Sequence, residues 1–76
     1  MNISPRRKRF ENIAANRVAR ILKGLESLEK CSNKNNYEYN SDDIRKMEKA
    51  LRDKLSDVIK SFNKELDKGK QSEFKF

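Results

Sequence analysis

Two stretches of this chain place their apolar residues three and four apart, with one asparagine-rich segment between them. In the first, Phe10, Ala14, Val18, Ile21, Leu25 and Leu28 recur at that spacing, with Ile13 and Leu22 beside them. In the second, Ile44, Met47, Leu51, Leu55, Val58, Phe62 and Leu66 do so, with Ile59 alongside. At about 100° per residue each set falls on one side of an α-helix. The composition, 41% charged and 34% apolar, would suit either long solvated helices or disorder. The periodicity decides for helices.

The ends of both helices are written in the residues around them. Ser4 followed by Pro5 reads as an N-cap with proline at the first helical position, where its missing N–H costs nothing. The first helix is expected over about residues 5–31. The turn over residues 32–40 holds four asparagines, residues that adopt turn or left-handed backbone more readily than most. The second helix then starts with Asn40 as N-cap and Asp43 at N3, a short capping box, with Ser41 as the rival cap. Tyr39 and Ile44 stand at the two positions of a hydrophobic staple, and Asp42 and Asp43 suit the positive end of the helix dipole. Lys64 and Lys68 fall in the last turns and Gly69 suits the C′ position, so this helix is expected over about residues 41–68. Residues 69–76 are left as a tail, frayed or docked back through Phe74 and Phe76.

Two helices of roughly 27 residues, each about 40 Å long, joined by a short connection predict one all-α domain folded as an antiparallel αα-hairpin. Sliding the stripes together matches Leu28 with Met47, Leu25 with Leu51, Ile21 with Leu55 and Val18 with Val58. Phe10 or Ala14 then meets Phe62. Two helices offer only one seam, which is little core for a chain of this size. The hairpin is therefore expected to dimerise into a four-helix bundle or to pack on a larger protein partner.

Charge points to a partner of another kind. Of the net +7, residues 1–24 hold seven cations against Glu11 alone, while residues 25–76 hold twelve against eleven acids. An anionic partner on the first helix follows from that asymmetry. Arg6, Arg7, Lys8 and Arg9 form an unbroken basic run, and Arg9 continues along the helix toward Asn12, Asn16, Arg20 and Lys23. These eight are the candidate nucleic-acid-binding residues, the cations for phosphates and the asparagines in support. The bland alternative is a solvated helix end. Cations in a first turn oppose the helix dipole, however, so helix stability does not explain them. The same run also has the character of a nuclear-localisation signal, on weak grounds.

For a protein interface the candidates are Phe10, Ile13, Arg17, Gly24, Tyr37, Phe74 and Phe76. Gly24, inside the first helix beside Ile13 and Arg17, is either a tolerated blemish or a place where another helix comes close. Tyr37 covers the turn end of the hairpin or stacks on a base. Charges of alternating sign along the second helix read as a solvated face.

Other functions have no residues to carry them. No Ser/His/Asp set, glycine-rich phosphate loop or pair of acids in an apolar setting occurs, so no enzymatic activity, cofactor or small-molecule substrate is expected. A chain with one cysteine and no histidine lacks the usual zinc ligands, and Cys31 by itself suits a reducing compartment. No apolar run has the length of a membrane span or a signal-peptide core, so the chain is expected in the cytoplasm without a membrane partner.

The pattern Arg9-Phe10, Ala15-Asn16-Arg17-Val18, the turn Cys31-Ser32-Asn33-Lys34-Asn35-Asn36-Tyr37-Glu38-Tyr39, then Ile44 and Ala50-Leu51 resembles a group of small helical bacterial proteins. These are encoded on mobile elements and phage-like regions. The likeness covers about residues 9–62, and the asparagine-tyrosine turn is its most distinctive part. It implies a bacterial, mobile-element origin and carries over neither an activity nor a functional residue.

The residues therefore favour a small, basic, non-enzymatic hairpin that contacts nucleic acid or a ribonucleoprotein through its first helix. The alternative is a protein-interaction module of a mobile element or phage.

Overall fold

The computed structural model describes residues 4–71, with side chains as far as Lys68. Among these the chain is all-helical and contains no strand: α1 spans Pro5–Glu29, a 3₁₀ turn comes next at Lys30–Ser32, and α2 spans Ser41–Gln71. It divides into two units, one ending at Glu38 and the other beginning at Tyr39. Phe74 and Phe76 lie outside the described residues.

Ser4 caps α1. Its backbone is extended (φ −64°, ψ 150°) and its Oγ accepts the Arg7 N–H at 3.1 Å, while Pro5 opens the helix. The α-helix ends two residues before the expected limit of 31. At Lys30 the backbone N–H turns to the Ser27 carbonyl, tightening the chain into the 3₁₀ turn. Ser32 and Asn33 explain the change, because such side chains compete for backbone groups and favour turns over helix. Asn33 then organises the next four residues. Its Oδ1 accepts the Asn35 N–H at 2.9 Å, and its carbonyl accepts the N–H groups of Asn36 (3.1 Å) and Tyr37 (3.0 Å). No described residue has positive φ. The asparagines are thus used for their side-chain hydrogen bonding and not for left-handed backbone.

Asn40 wins over Ser41 as the cap of α2. Its Oδ1 accepts the Asp43 N–H and its own N–H donates to Asp43 Oδ2, both at 3.0 Å, a reciprocal box with a shorter acid than usual. Tyr39, one step earlier, is half-buried, as the outer member of a staple should be. At the other end α2 passes through Gly69 to Gln71 instead of stopping. Glycine stops a helix when its left-handed conformation is used; in helical geometry it costs only about 1 kcal/mol. Gly69 keeps helical backbone, and no glycine among the described residues has positive φ.

Each helix gathers its apolar residues as the periodicity requires. No described residue is buried. Among the large apolar side chains exposure runs from 37% at Leu28 to 62% at Ile21 along α1, and from 41% at Val58 to 69% at Leu66 along α2, while the small Ala14 is half-buried. Both apolar stripes are therefore available for burial.

Candidate nucleic-acid interface

The candidate residues all lie on α1, so their arrangement follows from helical geometry. Asn12, Asn16, Arg20 and Lys23 join Arg9 within an arc of about 80°, opposite the stripe of Phe10, Ala14, Val18, Ile21 and Leu25. From Arg9 to Lys23 this face is about 21 Å long. Lys8 borders the arc on one side, and Arg6 stands beyond its other edge. All are exposed.

Arg7 departs from the set. It projects on the apolar side, where its Nε donates to Glu11 Oε2 at 3.0 Å and its guanidinium lies 5.5 Å from the Phe10 ring centre. The ion pair contributes a few tenths of a kcal/mol, and the exposed cation–π contact about 0.5–1 kcal/mol. Both would have to loosen before Arg7 could reach a phosphate elsewhere. The spacing held this signal: Glu11 is four residues and Phe10 three residues beyond Arg7. Reading the four cations as one run hid it.

The other cations of α1, namely Arg6, Lys8, Arg9, Arg17, Arg20 and Lys23, have no acid partner among the described residues. The first turn of α1 contains no acid, and no cation lies in its last turn, where Glu26 and Glu29 stand instead. Charge therefore opposes the dipole at both ends of this helix. Asn12 and Asn16 make no side-chain hydrogen bond among the described residues. Each costs several tenths of a kcal/mol against alanine in a helix interior. The stability of α1 by itself therefore explains neither the first-turn cations nor the two asparagines.

The interface candidates are spread along the same unit. Phe10 and Ile13 are exposed at 46% and 42%. Arg17 lies beside Ile13. A Cβ at Gly24 would meet no atom of the described residues within 4 Å, so nothing among them demands glycine there. Tyr37 anchors the turn by its backbone N–H to Asn33, and its ring is exposed. Cys31 is free and exposed. No group of three or more acidic, cysteine or histidine side chains among the described residues could hold a metal ion, and no described helix is long and apolar enough to cross a membrane.

Comparison with protein-family models, curated proteins and solved structures gives no match for this chain.

Proposed function

We propose that this chain is a small, basic, non-enzymatic protein of the bacterial cytoplasm, encoded on a mobile element, that binds nucleic acid or a ribonucleoprotein through α1. Arg6, Lys8, Arg9, Arg20 and Lys23 contact phosphates, Asn12 and Asn16 support them, and Arg7 joins only after releasing Glu11. One observation carries the reading: these cations share α1 without acid partners among the described residues, and Arg6 and Lys8 stand in its first turn against the preference of the helix dipole. In this reading α1 and α2 close antiparallel on their apolar stripes, leaving the cationic face outward. The test is binding of a labelled nucleic acid across a salt series by the wild type and by an Arg6/Arg7/Lys8/Arg9→Ala variant. Binding that falls steeply with salt, with a shallower slope in the variant, supports it. No binding at low salt, or an unchanged slope, overturns it.

A second reading rests on the exposure of both apolar stripes. Here the stripes pair two copies into a four-helix bundle, or dock on a larger protein, and the charge serves solubility. Sedimentation mass that rises with concentration supports the bundle. A monomer at all concentrations with a sharp thermal transition removes it, and co-purification of one protein at fixed stoichiometry supports the docking form.

A further inference from the structure

Asn12, Asn16, Ala19 and Lys23 succeed one another at intervals of four, three and four residues, so they form a straight row along the middle of the polar face of α1. The first three are short. Long cations border the row, Lys8 on one side and Arg9 and Arg20 on the other. A face with short side chains at its centre and long cations at its rim lets the helix axis come close to a surface between two lines of negative charge. Phosphates then lie within reach of the rim, while the amides of Asn12 and Asn16 meet whatever lies between. Both amides are exposed and make no side-chain hydrogen bond among the described residues.

We infer that α1 enters the major groove of duplex DNA, with Asn12 and Asn16 reading adenine and Ala19 against a thymine methyl. This rests on the nucleic-acid reading above and narrows it. An α-helix about 10–12 Å across fits the B-form major groove, about 12 Å wide, whereas the major groove of an RNA duplex is too narrow to admit side chains. Unstacked single strands are held by aromatic platforms. The row has none, since Phe10 stands on the far side of the helix. An asparagine amide donates to adenine N7 and accepts from its N6 amino group, and a small apolar side chain suits the methyl of the paired thymine. The two asparagines lie about 6 Å apart along the axis, so they address different base pairs. Lys8, Arg9, Arg20 and Lys23 hold the helix in register through phosphates, without reading sequence.

The test uses fluorescein-labelled 20-base-pair duplexes in anisotropy titrations. These are an A·T-rich DNA, the same DNA with 7-deazaadenine replacing adenine, a G·C DNA, and an A·U RNA duplex. The wild type is expected to bind the A·T DNA at least tenfold more tightly than the other three. In an Asn12→Ala/Asn16→Ala variant the adenine and 7-deazaadenine duplexes become equal, while the salt slope stays as in the wild type. Alanine favours helix more than asparagine does, so α1 persists in the variant, as circular dichroism will show. Equal wild-type affinity for the 7-deazaadenine or RNA duplex overturns the inference, as does a variant that keeps the preference. Those outcomes leave phosphate binding by α1 standing. Failure of the wild type to bind any duplex at low salt removes both readings.

Discussion

Along α2, Asp42, Glu48, Asp53 and Glu65 each hold a cation three or four residues away, in the pairs with Arg45, Arg52, Lys49 and Lys68. Along α1 only Glu11 does so among the described residues. The side of α2 opposite its apolar stripe carries Lys46, Lys49, Lys60 and Lys64 against Asp42, Asp53, Asp57 and Asp67, four of each sign. The side of α1 opposite its stripe carries Lys8, Arg9, Arg20 and Lys23 against Glu26 alone. Acids in the first turn of α2 also agree with its dipole, while the first turn of α1 has cations. Four ion pairs and first-turn acids support α2, whereas α1 has one ion pair and charges that oppose its dipole at both ends. Two helices of similar length and apolar pattern thus differ in the charge of their polar faces. The polar face of α2 is consistent with solvent, and that of α1 with an anionic surface.

This contrast can be broken in several places. The largest effect is expected from the apolar stripes, which the hairpin reading treats as equal partners. Leu25→Asp in α1 and Leu55→Asp in α2 should each cost about 3 kcal/mol or more, with helicity lost from both segments together in circular dichroism. If one substitution melts only its own helix, the two are not a pair. Next come the polar faces themselves. Alanine at Lys8, Arg9, Arg20 and Lys23 should lower the slope of log affinity against log salt by about three to four and weaken duplex binding by about a hundredfold. Alanine at Lys46, Lys49, Lys60 and Lys64 should change the slope by less than about one. Similar losses from the two sets would erase the contrast.

The caps are the third place. Asn40→Ala should destabilise by about 1 kcal/mol in urea titrations, and Ser4→Ala by about half that, because Asn40 and Asp43 satisfy each other's N–H while Ser4 serves Arg7 alone. An equal effect would mean that the reciprocal bond adds nothing. The smallest change is expected at Gly24, where alanine meets open space and should add about 0.5–1 kcal/mol of stability. A loss of stability or of self-association there would reveal another helix against that position.

How far the residues foretold this architecture depends on how local each signal is. The Ser4-Pro5 start and the Asn40–Asp43 box involve groups within three residues of one another, and both are legible in the residues alone. The limit of α1 is harder. Cys31 and Ser32 prefer helix only a few tenths of a kcal/mol less than the residues before them, and Asn33 adds the deciding weight, its side chain and carbonyl drawing three later N–H groups into a turn. Gly69 misleads because one residue type serves both as a helix stop and as a tolerated interior position. At the candidate site the row from Asn12 to Lys23 is readable as a face. The position of Arg7 over Phe10 and against Glu11 is obscured when neighbours in sequence are treated as neighbours in space.

By themselves the amino acids determined two amphipathic helices, the cap that begins the first, two rival caps for the second, and the concentration of unbalanced cations on the first. Those properties follow from spacing, from short-range hydrogen bonding and from formal charge, none of which depends on a distant part of the chain. Only the three-dimensional structure decided that Asn40 and not Ser41 caps α2, where α1 gives way to a 3₁₀ turn, that α2 continues through Gly69, that Arg7 engages both Glu11 and the Phe10 ring, and that Asn33 closes its turn without left-handed backbone. Each of those is a choice between states separated by about 1 kcal/mol or less, where rotamer, neighbouring ring and competing acceptor tip the balance together.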